Sequence, residues 1–248
     1  MRIFLTGASG FFGKHILNQC IKNNFQILSL TRKKNSFQNS DNVKWIYSDL
    51  SNINLITKEI NIFNPDVVIH LAWEGIPDYS AEISLTNHYN SINLFNNLLK
   101  NKQIKKIICA GSCWEYPQSI GRCKESDYTY PTSYFAWAKI SLYEYLKQKC
   151  LSNKIDLYWF RVFFLYGSGQ RQDSLIPTIV NAFHNNTTPI IKNPFEKNDY
   201  IYVKDAAKIL LKPLLLKAPP GIYNIGTGKT ISAIRICSLI EKELFNNT

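Results

Sequence analysis

The chain has 248 residues, is 45% hydrophobic and 19% charged, and carries a formal net charge of +11, so it can bury a sizeable core in one domain or in a domain with a small appendage. No apolar run reaches the length of a membrane span, Met1 abuts the first apolar run so that no signal peptide is expected, and the six cysteines (Cys20, Cys109, Cys113, Cys123, Cys150, Cys237) have neither the paired spacing of a zinc site nor the density of a disulfide scaffold. The expectation is a cytoplasmic protein with reduced thiols, no metal and no membrane insertion; its lysines are dispersed along an Asn-rich chain with no aromatic-basic module, so no nucleic-acid partner is expected either.

The amino-terminal stretch compresses a strand, a glycine turn and a helix start. Ile3, Phe4 and Leu5 suit a strand covered on both faces, and Gly7, Gly10 and Gly13 follow at three-residue intervals. Gly7 permits a tight turn, Gly10 lets backbone approach a pyrophosphate, and Gly13 lets the new helix pack closely on the sheet. The helix pattern puts Ile16, Leu17, Cys20 and Ile21 on one face and stops at Asn23-Asn24. Its first amides, with Phe11 and Phe12 beside them, would face the diphosphate of a dinucleotide. A second strand over 26–31 runs into Arg32-Lys33-Lys34. An acid there would accept the ribose hydroxyls of NAD; cations suit a 2′-phosphate, so NADP(H) is the expected cofactor and Arg32 its contact.

Residues 43–47 read as a third strand ending in Ser48-Asp49-Leu50, and 55–63 as a short amphipathic helix. Residues 66–70 form a fourth buried strand leading to Leu71-Ala72-Trp73, 83–102 a long helix, and 106–110 a fifth strand. This alternation predicts an α/β fold, a doubly wound parallel (Rossmann) sheet with ligands beyond the carboxyl ends of the strands. Ser112 then stands where a nicotinamide should reach, and PTSYFAWAK at 131–139 opens another helix.

These segments, TGASGFFG at 6–13, SDL at 48–50, HLAW at 70–73, GSCWEY at 111–116 and PTSYFAWAK, are followed by RVFFLYG at 161–167, NDYIYVKDAA at 198–207 and YNIGTG at 223–228. In content and order they resemble the extended short-chain dehydrogenase/reductase superfamily, specifically its nucleotide-sugar branch of epimerases, dehydratases and 4-keto-sugar reductases. The resemblance implies that Asp49 and Leu50 lie against the adenine and that Leu71 and Ala72 run along the cofactor backbone. It implies an NADP-binding domain over 1–165, rejoined by strands from 198–230, and a small, abbreviated substrate-binding lid within 166–248. It also implies a nucleotide-sugar partner and a homodimer formed through the helices at 83–102 and 133–151.

Catalysis in that family uses a Ser or Thr, a Tyr, and a Lys four residues after the Tyr. The Tyr exchanges a proton with the substrate oxygen, the Ser hydrogen-bonds the same oxygen, and the Lys holds the nicotinamide ribose and lowers the Tyr pKa. Ser112 and Lys139 fit, but the position four before Lys139 is Phe135, with Tyr134 beside it. One residue turns a side chain by about 100° on a helix, although a bulge at the helix start could re-aim it. Three readings stand: Tyr134 substitutes as the acid, another group such as Ser112, a nearby tyrosine or water supplies the proton, or proton transfer is lost. Phe164 replaces the family's diphosphate-binding Asn, and the Asn of the helix before strand five lands on Ser91, with Asn90 adjacent. Arg171 and Lys192 are the candidate phosphate partners of the substrate.

The leading expectation is NADPH-dependent reduction of a nucleotide-linked 4-keto-6-deoxy sugar for a surface glycan such as lipopolysaccharide; GSCWEY followed by Gly121, Cys123 and Glu125 looks like the reductase members. The alternatives are an epimerase or dehydratase, against which Phe135 argues, and a catalytically silent NADP-binding protein. In each, Trp114, Trp137 and Trp159 read as core or cleft aromatics.

Overall fold

The computed structural model describes residues 1–32, 39–117 and 123–245; Lys33, Lys34 and Gly121 lie outside the described residues. The first half of the chain alternates strand and helix: β1 (Arg2–Thr6), α1 (Phe11–Lys22), β2 (Gln26–Thr31), β3 (Val43–Tyr47), α2 (Ile53–Phe63), β4 (Val67–His70), α3 (Ala81–Leu98) and β5 (Lys106–Ser112). A short 3₁₀ turn over Cys113–Glu115 follows, then α4 (Tyr134–Asn153), β6 (Asp156–Val162), β7 (Phe164–Tyr166) and α5 (Leu175–His184). The remainder holds β8 (Lys197–Asn198), β9 (Tyr200–Tyr202), α6 (Val203–Leu210), α7 (Lys212–Leu215), β10 (Gly221–Ile225), β11 (Ile231–Ser232) and α8 (Ala233–Phe245).

Seven strands make one parallel sheet in the order β10-β6-β5-β4-β1-β2-β3, the doubly wound arrangement expected from the sequence. β1 has β2 on one side and β4 on the other, so the connections leave toward opposite edges and a crevice opens above the carboxyl ends of these strands. Alternation along β1 feeds two cores. Ile3 and Leu5 pack with Ile16, Cys20, Ala206 and Leu210 under α1 and α6, while Phe4 packs with Ile56, Ile60, Leu94 and Leu146 under α2, α3 and α4. On α1, Ile16, Leu17 and Cys20 are buried as expected, but Ile21 is 37% exposed. It lies about 40° past Leu17, itself at the edge of the buried stripe. Asn24, just beyond the helix end, adopts the left-handed conformation (φ 55°).

Of residues 198–230, β10 alone enters the central sheet. β9 is taken by β7 in a small parallel pair and β8 by β11 in an antiparallel one. The buried Asp199 pins this arrangement: its carboxylate accepts from Thr227 N at 2.9 Å, Thr227 Oγ1 at 2.6 Å and Gly228 N at 2.7 Å. α5 and α8 pack together beyond the sheet. Among the described residues no helix is long and apolar enough to cross a membrane. The cysteines are free, and burial pushes the Cys20 thiol up to about 12.

Candidate active site

A cleft of about 490 Å³ opens over the carboxyl ends of β1, β2 and β4, and its lining includes Gly7, Gly10, Phe11, Phe12, Gly13, Arg32, Asp49, Leu50, Leu71 and Ala72. These expected cofactor contacts are thus gathered in one place, whereas Lys139, expected at the nicotinamide ribose, is not in the lining. Gly7 has φ +77°, and a Cβ there would stand 2.8 Å from Ala72 N and Leu71 C. A Cβ at Gly13 would stand 2.7 Å from Gly7 C and 2.8 Å from Ala8 Cα, and would also strike the Gly7 carbonyl oxygen. α1 begins at Gly10 with no side-chain cap and no acid in its first turn, so its leading amides remain open to an anion. Trp73, also in the lining, has a buried Nε1 without a hydrogen-bond partner among the described residues. A cradle with no room for a Cβ, open helix amides and an unmatched donor fit a dinucleotide. Gly13→Ala should cost roughly 1–3 kcal/mol through overpacking against backbone and abolish dinucleotide binding; urea denaturation and calorimetry with NADPH check the two effects separately.

A polar relay braces the floor of the cleft. Ala72 N donates to Thr6 Oγ1 at 3.3 Å, and Thr6 Oγ1 meets His70 Nδ1 at 2.8 Å. His70 Nε2 meets Ser91 Oγ at 3.1 Å, and Ser91 Oγ donates to Asn87 O at 2.7 Å. Because the Ser91 proton is committed to Asn87 O, His70 must donate from Nε2 and accept from Thr6 at Nδ1. Burial, with the Lys139 charge second, pushes the His70 pKa down to about 3, so the ring is neutral. Ser91 therefore ties α3 to β4.

At the ends of β5 and α4 stand the expected catalytic groups. Ser112 caps the 3₁₀ turn, its Oγ accepting from Trp114 N at 3.2 Å. Lys139 is buried on α4 and donates from Nζ to Ala110 O at 2.9 Å; burial lowers its pKa to about 8, against the raising influence of Glu115 and Cys109. Four residues before it, on the same helical face, the Phe135 ring lies 5.8 Å from Lys139 Nζ. Tyr134, the first residue of α4, is 61% exposed. Phe135 sits in an aromatic box, with ring centroids 4.7 Å from Trp73, 5.1 Å from Tyr79 and 5.6 Å from Trp114. Arg171 pairs with Asp173 at 3.2 Å, and its charge reaches Tyr79. Lys192 is exposed and follows Ile191, which lines a second cleft between α5 and α8.

A family model described as the NAD dependent epimerase/dehydratase family matches residues 3–226. The chain belongs to that family. It is 28% identical to the dTDP-4-dehydro-6-deoxyglucose reductase of Escherichia coli, over 98% of this chain and 81% of the relative. It is similar to the solved UDP-N-acetylglucosamine 4-epimerase from Methanobrevibacter ruminantium in complex with UDP-N-acetylmuramic acid, at 27% identity and TM-score 0.86, covering 98% of this chain and 82% of that one. The Thermus thermophilus UDP-glucose 4-epimerase in complex with NAD shares the fold, at 20% identity and TM-score 0.81, covering 98% and 83%.

As a member of the NAD dependent epimerase/dehydratase family, the chain carries two features that its motifs alone did not reveal. Asn87 lines the cleft and clamps the loop above β4, accepting from Glu74 N at 2.8 Å and donating to Glu74 O at 3.1 Å and Ile83 O at 2.8 Å. Glu115 is buried beside Ser112, accepting from Ser112 N at 2.8 Å, Trp159 Nε1 at 3.0 Å and Arg161 Nε at 2.9 Å. Arg161 Nη1 in turn donates to Tyr116 Oη at 2.9 Å and Glu125 O at 3.1 Å. An acid inside GSCWEY, in the turn that follows β5, and an arginine opening RVFFLYG, within the apolar run of β6, were the available signal: a buried charge implies an opposite one. At the other end, Arg32 forms an ion pair with Glu74 and stands 3.8 Å from Asp49. Burial raises the Asp49 pKa, but the Ser51 backbone and side chain and the Arg32 charge outweigh it, and the net shift is downward.

Proposed function

We propose that the protein reduces a nucleotide-linked 4-keto-6-deoxy sugar with NADPH, in the synthesis of a deoxyhexose for a surface glycan. The observation that carries this reading is Phe135 on the Lys139 face of α4. A phenyl ring neither takes nor gives a proton, so an epimerase or dehydratase, which must oxidise the sugar internally, lacks its base at that position, whereas reduction needs only a proton donor, which another hydroxyl or water can supply. A bound reduced nicotinamide supplies the hydride. Ser112 polarises the keto oxygen, and Lys139, anchored on Ala110 O, places positive charge where negative charge develops. Arg171 and Lys192 are assigned to the substrate diphosphate. The similarity to the E. coli reductase supports the substrate class.

Arg32 at the end of β2 supports NADPH. Arg32→Ala should weaken NADPH binding roughly 10–100-fold, the worth of a charge-assisted hydrogen bond, and leave NADH binding nearly unchanged by calorimetry. The reverse outcome, an NADH preference indifferent to Arg32, would assign Asp49 and Glu74 to ribose hydroxyls and the cofactor to NAD. The function itself is tested by mixing the protein with NADPH and dTDP-, GDP- or CDP-linked 4-keto-6-deoxyhexoses and following the reduced-nicotinamide absorbance. Depletion supports the reductase, an isomerised sugar without net oxidation the epimerase, and binding without turnover a silent NADP-binding protein. A homodimer is proposed through α3 and α4, which pack on each other and expose Leu85, Tyr89, Trp137 and Leu151; light scattering measures it.

A further inference from the structure

We propose that Tyr79 donates the proton that completes the reduction. The proposal rests on the reductase reading above and names the acid that Phe135 leaves missing. Tyr79 belongs to the loop between β4 and α3. Its ring lies 5.1 Å from that of Phe135 and 4.9 Å from that of Trp114, whose backbone N–H holds the Ser112 hydroxyl. It therefore stands one ring away from the α4 position facing Lys139, and in contact with the segment that carries Ser112.

The neighbouring phenols are otherwise placed. Tyr116 Oη is engaged by Arg161, Asn224 Oδ1 and Lys124 O. Tyr143 packs at a tilt against the core residue Trp159, and Tyr134 faces solvent at the head of α4. Among the described residues, no hydrogen bond holds the Tyr79 hydroxyl. Burial raises the Tyr79 pKa, with the Arg171 charge opposing, so the phenol holds its proton at neutral pH and has a cation near it when the proton leaves.

The C4–H bond of the reduced nicotinamide would break as its hydride forms the new C–H bond at the keto carbon, so that NADPH is oxidised to NADP⁺ while the ketone is reduced, and the carbonyl π pair moves to oxygen. That oxygen takes the Tyr79 hydroxyl proton, and water returns a proton to the phenolate.

The test uses the full chain with NADPH and dTDP-4-keto-6-deoxyglucose. Tyr79→Phe should lower kcat by roughly 10²–10⁴-fold, while the affinities for NADPH and dTDP-glucose stay within about threefold by calorimetry, the spread expected for a change that removes no binding contact. Adding Phe135→Tyr to Tyr79→Phe should restore at least about tenfold of the lost kcat, since it returns a phenol to the box. Wild-type kcat in Tyr79→Phe, a loss confined to Tyr134→Phe, or a kcat loss matched by lost dTDP-glucose affinity would each overturn the proposal. A readout independent of turnover is the NMR resonance of ¹³Cζ-labelled Tyr79, assigned by its absence in Tyr79→Phe. It should move when NADP⁺ and dTDP-glucose are added together, and an unmoved resonance overturns the proposal. A wild-type protein inert toward keto sugars whose Tyr79 resonance still moves would sink the reductase reading and keep Tyr79 as the phenol facing the ligand.

Discussion

Glu115→Ala should lower the free energy of unfolding by about 3–5 kcal/mol, the cost of leaving a buried charge without its partner. The Arg161 and Glu115 side chains are 4% and 1% exposed, so water cannot take over for the lost carboxylate. Among the described residues Arg161 would keep hydrogen bonds only to Tyr116 Oη and Glu125 O, and the Trp159 indole and the Ser112 amide would lose their acceptor. Two further variants separate charge from packing. Glu115→Gln retains the shape and one acceptor and should cost less than Glu115→Ala, whereas Glu115→Leu with Arg161→Met should recover only part of the loss: it removes the unpaired guanidinium but still leaves the Trp159 indole and the Ser112 amide without their acceptor. Urea denaturation of the single and double variants closes the cycle. A cost for Glu115→Ala below about 1 kcal/mol, the range of an exposed pair, would contradict this account of the network. Glu115 also raises the Lys139 pKa, so the same variant should make the Lys139 ammonium easier to deprotonate.

Acid should destabilise the protein well before its carboxylates titrate. His70 has an ordinary pKa of 6.5, and its folded-state value is pushed down to about 3. Below pH 6.5 the unfolded chain takes up a proton that the folded ring refuses. The contribution is therefore whole above pH 6.5 and drains away as pH falls toward 3, by up to roughly 5 kcal/mol at 1.36 kcal/mol per pKa unit. Asp49 and Asp66 are held below 3.8 and contribute only in stronger acid, while Lys139 titrates between about 8 and 10.5. His88, lowered by partial burial, acts in the same direction, so a variant isolates His70. Urea unfolding of wild type between pH 7.5 and 4.5 should show a steep fall, and His70→Gln, less stable at pH 7.5, should show a shallower one. Equal slopes for the two proteins would remove His70 as the source.

Backbone-determined features were readable from residue order. The glycine spacing of the cradle and the apolar runs of β1, β2 and β4 act over a few residues, so Gly7, Gly10, Gly13, Leu71 and Ala72 could be named from the sequence and line one cleft. Ile21 shows the limit of periodicity, since a buried stripe has an edge and one position beyond it is solvent. What stayed hidden depends on residues far apart in the chain. The Glu115–Arg161 bond spans 46 positions and the Thr6–His70 contact 64, and no local pattern ranks such pairs. Tyr79 lies in a loop whose path depends on Asn87 clamping Glu74, so neither its spacing nor its neighbours in sequence betray its place beside Phe135.

The late arrival of β10 matters to a chain emerging from the ribosome. β6 has β5 on one flank, but its other flank is met only by Gly221–Ile225, so throughout the synthesis of residues 163–220 a nascent protein presents the Asp156–Val162 edge bare. An unpaired edge is an invitation to another chain. Asn224, which anchors to Tyr116, Cys123 and Glu125 from that same strand, thus acts as a final latch: the polar cluster beside Ser112 becomes complete only when the edge is sealed.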